Sequence, residues 1–176
     1  MATTKWILDP THSELQFKVK HLMITTITGS MKSFSATLAA DGDDFNSSEI
    51  TFKGDINSLD TGNTDRDNHL KSEDFFDGEQ FPHIAFESKS VEKDGEKYLV
   101  KGDLTIKGQT KPILLTAEFG GIATDPWGNT KAGFTLSGTI NRTDFGLTWN
   151  TAIEGGGVMV SEEVRLLGEL QFVKQV

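Results

Sequence analysis

The chain has 176 residues, no cysteine and a net charge of −9, with 36% hydrophobic and 24% charged residues. Length and composition fit one folded domain spanning residues 1–176, long enough to bury a substantial core. The negative charge disfavours nucleic acid, whose phosphates it repels, and the lack of cysteine excludes disulfides, zinc thiolate sites and thiol nucleophiles.

Taken in chain order, strand signals dominate. The start runs directly into strand-like sequence, without a basic n-region, an apolar h-region or a cleavage site. As written it reads as cytoplasmic, and as periplasmic if it is a processed mature chain. Leu15, Phe17 and Val19 alternate with Gln16, Lys18 and Lys20, and this run ends near His21. Further strands are predicted at 26–31, 34–40, 49–57, 84–91, 98–106, 113–119, 131–141 and 164–173. Asp41-Gly42-Asp43 and Lys93-Asp94-Gly95 have hairpin-turn chemistry. Eighteen glycines against four prolines suit such a chain, and eight or nine antiparallel strands fit a closed or nearly closed barrel.

Alternation stops between Leu59 and Phe81. Thr64 followed by Asp67 reads as a capping box, and 65–71 can form about two helical turns with acids at the start. A second short turn is predicted from Ser72, with Phe75 and Phe76 packing down and Pro82 forcing an extended exit. The expected fold is therefore all-β, an extended eight-stranded antiparallel barrel with a helical excursion around residues 64–77 that closes one end. No apolar run reaches the length of a membrane span.

One short pattern recurs four times: large apolar, polar, glycine, polar, large apolar. Its copies centre on Gly54, Gly102, Gly138 and Gly168. Each puts two bulky groups on one strand face with a missing side chain between them. Such glycines mark sharp bends, and they also leave an interior short of side-chain volume, so a packed core and a ligand cavity both remain open. Besides the four glycines, the inward face predicted from this alternation carries Phe52, Ile56, Tyr98, Val100, Leu104, Phe134, Leu136, Ile140, Val164, Leu166, Leu170 and Phe172. Phe17, Val19 and Phe86 join it from neighbouring strands.

Polar candidates are fewer. Arg66 and Arg142 lie in irregular or strand-end segments, where a planar guanidinium suits a phosphate or carbonyl head group. The alternative is that they pair with Asp65, Asp67 and Asp144 to pin their loops. His69 and Trp149 complete the head-group set. His12, His21, His69 and His83 have no metal-ligand spacing, so no metal or required cofactor is expected. The sequence has no GxSxG, P-loop or dinucleotide fingerprint. Gly155-Gly156-Gly157 reads as a loop that could gate a barrel mouth, and Trp127 and Trp149 as plugs for barrel ends.

Several segments together resemble the YceI-like family: Trp6 to Ser13, Phe17 to His21, SLDTGNTDRDNHLKSEDFFDGEQFPHIAFES at 58–88, Gly102 to Pro112, Ile140 to Leu147 and Val160 to Val164. The resemblance runs collinearly over nearly the whole chain. It implies a lipocalin-like barrel holding a hydrophobic partner, a long amphiphile such as a polyisoprenoid or isoprenoid quinone, as monomer or homodimer. Many members of that family are exported to the periplasm. The expected function is sequestration or carriage of a bound isoprenoid-like lipid without chemistry. The alternatives are a carbohydrate-binding β module using exposed tryptophans, and a weak lipid-modifying enzyme using Asp9, His12 and Glu14.

Overall fold

A computed structural model describes residues 3–22, 24–148 and 160–175. Its strands are β1 (Thr4–Leu8), β2 (Glu14–His21), β3 (Thr25–Met31), β4 (Phe34–Asp41), β5 (Asp44–Asp55) and β6 (Leu59–Asp60). After the helix α1 (Thr64–Lys71) come β7 (His83–Asp94), β8 (Lys97–Ile106), β9 (Gln109–Thr124), β10 (Thr130–Asn141) and β11 (Glu163–Lys174).

All pairings are antiparallel, and the order β1-β4-β5-β7-β8-β9-β10-β11 closes through β1 against β11. β11 pairs with β1 through Phe172 to Lys174 and with β2 through Arg165 to Glu169, so β1 and β2 are two halves of one kinked strand. The partner ribbon β3 and β4 is broken the same way, β3 pairing with β2 and β4 with β1. The result is an eight-stranded up-and-down barrel, as expected from the strand count.

Alternation explains which side faces in. Along β8, Tyr98, Val100, Gly102, Leu104 and Ile106 are buried, whereas Lys97 and Lys101 are exposed. The same rule holds along β5 from Ser48 to Gly54. β5 stops at Asp55, whose carboxylate accepts the N–H of Asn57 and starts a tight turn over 56–58. Ile56 is thereby drawn from the predicted strand into a satellite cluster with Met31 and Leu59.

The four notch glycines do not open the interior. A Cβ on Gly54 would meet the Met31 thioether, one on Gly138 would lie 2.5 Å from Leu115 Cδ2, and one on Gly168 3.4 Å from Leu136 Cβ. At Gly102 the Phe86 ring lies at 2.6 Å and the Ser88 Cα at 2.8 Å. Gly54, Gly102 and Gly138 are seats covered by a large neighbouring side chain, a form of cross-strand rescue, whereas a Cβ on Gly168 would make only ordinary contact. Their predicted lining role gives way to the residues that cover them.

The kink between β1 and β2 is fixed by Asp9. Its carboxylate accepts from the Thr11 N–H at 3.0 Å and hydroxyl at 2.7 Å, from His12 Nδ1 at 2.8 Å and from Lys131 Nζ at 3.1 Å. These bonds, led by the Thr11 hydroxyl, hold its pKa far below the usual carboxylate range. A depressed folded pKa stabilises the fold above the unfolded value of about 4, and that contribution is lost as pH falls toward the folded one. Asp9→Ala is expected to cost about 1–2 kcal/mol at pH 7, the usual cost of losing such a cap. The penalty should shrink below about pH 4, and urea unfolding at pH 7 and pH 3 would check it.

Helix α1 is capped one residue earlier than predicted. Asn63 accepts the Arg66 N–H, and Asp67 reaches back to the Thr61 N–H at 2.8 Å and hydroxyl at 2.6 Å. Thr64 is then the first helical residue. Beyond the helix Phe75 is buried and Phe76 half-buried, as the two phenylalanines were expected to be.

Trp127 was expected to plug a barrel end, and the structure corrects this. It is 83% exposed at the tip of the β9–β10 hairpin, where Asp125 accepts the N–H groups of Trp127 and Asn129 and turns the ring outward. The plug is Trp6. It is fully buried, 5.2 Å from the Phe45 ring, and donates its indole N–H to the Gly42 carbonyl at 3.2 Å. Trp149 and the Gly155-Gly156-Gly157 run lie outside the described residues.

Candidate functional site

The barrel encloses a cavity of about 540 Å³. It is lined mainly by inward residues: Phe17 and Val19 of β2, Phe52 of β5, Phe86 of β7, and Tyr98, Val100 and Leu104 of β8. Phe134, Leu136 and Ile140 of β10 and Val164, Leu166, Leu170 and Phe172 of β11 continue the wall. Of the residues predicted to face inward, Ile56, Gly54, Gly102, Gly138 and Gly168 are absent from this surface.

One end is closed by aromatic packing. Phe45 lies 5.1 Å from Phe134 and 6.3 Å from Tyr98, both edge-on, with Trp6 behind it. Edge-to-face rings at these spacings make a rigid floor. Burial raises the Tyr98 phenol pKa, with the Asp44 carboxylate adding to the shift.

The other end carries the polar lining residues Thr61, Asp65, Arg66, His69 and Arg142. Asp65 is exposed, so the cavity reaches the surface beside α1. Arg66 donates through Nε to the Thr61 hydroxyl and through Nη2 to the Thr61 carbonyl, both at 2.7 Å. It is held by Thr61 and not by Asp65 or Asp67. Two bonds use two of the five N–H donors of a guanidinium. His69 faces Asp74 at 2.9 Å and meets Phe75 edge-on at 5.0 Å.

Arg142 is structural to a greater degree. It is 4% exposed and donates through Nε to the Ser161 carbonyl at 2.8 Å, through Nη1 to Leu147 at 2.5 Å and through Nη2 to Val160 at 3.3 Å. Its guanidinium lies 5.9 Å from the Phe75 centroid. Burial pulls its pKa below the ordinary arginine value, while the Glu162 charge acts in the opposite direction. The loop-pinning role foreseen for the arginines is thus met by backbone carbonyls in Arg142 and by Thr61 in Arg66.

The proposed acid-base set does not reach the cavity. Asp9, His12 and Glu14 are absent from its lining, and Asp9 is committed to Thr11, His12 and Lys131. Of the four histidines only His21 and His69 line it.

Sequence reasoning missed part of the wall. Ala36 and Leu38 of β4 and Ile113, Leu115 and Ala117 of β9 line the cavity, and plain alternation along those strands points to them. Ser48 of β5 lines it too, in phase with Ile50 and Phe52 but outside the strand predicted at 49–57. It is 5% exposed, and its hydroxyl is buried without a hydrogen-bond partner. Such an orphan costs about 1–3 kcal/mol.

The comparisons agree with this geometry. A UPF0312 protein of Staphylococcus epidermidis is 41% identical over 170 residues, covering 96% of this chain and 97% of its own. The crystal structure of the Campylobacter jejuni YCEI protein superposes with a TM-score of 0.74 at 37% identity, over 89% of this chain and 90% of that one. A polyisoprenoid binding domain from Saccharophagus degradans has the same fold, with a TM-score of 0.70 at 18% identity, over 97% and 98% of the two chains. The YceI-like domain matches residues 6–172, and with 41% identity to a relative covered almost end to end, this chain belongs to the YceI-like family.

Proposed function

We propose that this barrel binds the apolar chain of one long amphiphile, a polyisoprenoid or isoprenoid quinone, and carries or sequesters it without chemistry. The observation that carries the reading is the enclosed cavity, walled by apolar side chains from all around the barrel and open beside α1. The polyisoprenoid binding domain with the same fold supports the choice of ligand class.

Magnitudes agree with a medium-length chain. A five-carbon isoprene unit takes on the order of 100 Å³ at protein packing density, so 540 Å³ holds about five. A strand of about nine residues at barrel tilt spans roughly 23 Å of axis, which gives a similar length. Each unit buries on the order of 100 Å², gaining ~2.5 kcal/mol before ordering costs. The chain would lie against the aromatic floor, with its head group at Arg66 and His69.

Arg66 supplies the test of that orientation. Arg66→Met is expected to weaken a prenyl pyrophosphate about ten- to a hundredfold, since charge-assisted bonds are worth roughly 1.5 to 3 kcal/mol. A hydrocarbon of equal length should be nearly unaffected. Equal losses for the two ligands in titrations of the folded variant would remove Arg66 from the head-group site.

A further inference from the structure

The floor of the cavity holds an unexplained polar group. Ser48 sits on β5 toward the closed end, three residues from Phe45, whereas Arg66 and His69 are on α1 at the mouth. Ser47 adopts φ of 63°, in the left-handed region, and the strand register slips there: Ala39 pairs with Glu49 but Asp41 pairs with Asp44. Ser48 keeps the inward phase of Ile50 and Phe52, and the bulge lets Phe45, three residues earlier, face inward as well. A backbone conformation that residues other than glycine seldom adopt thus sets Phe45 and Ser48 on the same inner face, with a hydroxyl in an apolar space.

That hydroxyl is the one buried side-chain polar atom without a hydrogen-bond partner among the described residues. An ordered buried water usually makes about three hydrogen bonds. Ser48 offers a water only one unspent side-chain group, and the cavity wall is mostly apolar. A ligand oxygen needs a single partner, because the rest of the ligand is already anchored by apolar contact.

We infer that the closed end of the cavity is a subsite for an oxygen-bearing chain end, a hydroxyl or carbonyl at the terminus opposite the head group, hydrogen-bonded to Ser48. The inference rests on the lipid-binding reading above and narrows it to chains that are polar at both ends. An ω-oxygenated prenyl chain would satisfy Arg66 and His69 at the mouth and Ser48 on the floor, whereas a plain chain leaves the Ser48 hydroxyl unpaired.

The probes are geranylgeraniol and its ω-hydroxylated diol, titrated into the delipidated protein and into Ser48→Ala. The wild type is expected to bind the diol about tenfold more tightly than the mono-alcohol. Ser48→Ala should abolish or invert that preference, and its ligand-free form should melt no lower than wild type, since the change removes an orphan hydroxyl. The same diol-to-alcohol ratio in both proteins would overturn the subsite, including the case where a water occupies the floor. Binding of neither alcohol to either protein would overturn the lipid-binding reading and the subsite together.

Discussion

Gly102→Ala is expected to be among the most destabilising single-methyl additions in this chain, costing about 3 kcal/mol or more, at or beyond the upper end of overpacking. Gly102 on β8 faces Ser88 at the point where β7 carries an extra residue, the register passing from Ser88 opposite Gly102 to Ser90 opposite Lys101. A Cβ there would collide with the Glu87 carbonyl oxygen and stand 2.8 Å from the Ser88 Cα, both backbone atoms that cannot swing aside. The entropy that alanine removes from the unfolded chain is worth only about 0.4–1 kcal/mol in the other direction, so the clash decides the sign. At 2–4 °C per kcal/mol for a chain of this size, the melting temperature should fall by roughly 6–12 °C. Gly138→Ala makes the control. There the obstructing atom is the terminal Cδ2 of Leu115, which can move into the cavity that it lines. Similar losses for the two variants in thermal unfolding would show that the β7 bulge is not what requires glycine.

Ala36→Trp is expected to produce the largest loss of ligand. Ala36 lies mid-barrel on β4, opposite Phe52, with its side chain on the cavity wall. The larger side chain adds roughly 140 Å³, on the order of a quarter of the cavity, and fills space now empty of protein. Displacing one isoprene unit forfeits ~2.5 kcal/mol of burial. Copurified lipid and the affinity for a C20 or longer prenyl chain should therefore fall by tenfold or more, while melting changes by only a few degrees because a void is being filled. Undiminished lipid in the folded variant would place the ligand elsewhere.

The alternation that made β8 legible depends only on neighbours along the chain, and so do the hairpin turns and the short helix. What lies across the sheet is not written there. Each notch glycine looks empty in its own strand, and only the packing of neighbouring strands shows that Met31, Phe86 and Leu115 cover Gly54, Gly102 and Gly138. Ile56 reads as the next inward residue after Gly54, but the Asp55 cap bends the chain before it arrives. Trp6 and Trp127 have equal standing in the sequence, and the Asp125 turn turns one outward while the barrel floor buries the other. The slip in β5 was illegible for the same reason. The strand predicted at 49–57 begins at Asp44, and only the left-handed Ser47 and the slipped register show that Phe45 and Ser48 share its inner face.

The central claim is that the interior is occupied by one long apolar chain. The most direct measurement is mass spectrometry of the organic extract from protein purified out of its native host, quantified against protein. The account predicts a single lipid class with a prenyl chain of about five units or more, near one per barrel, and depleted in Ala36→Trp. An extract with no lipid above the level of a control protein, or one equally rich from Ala36→Trp, would contradict it.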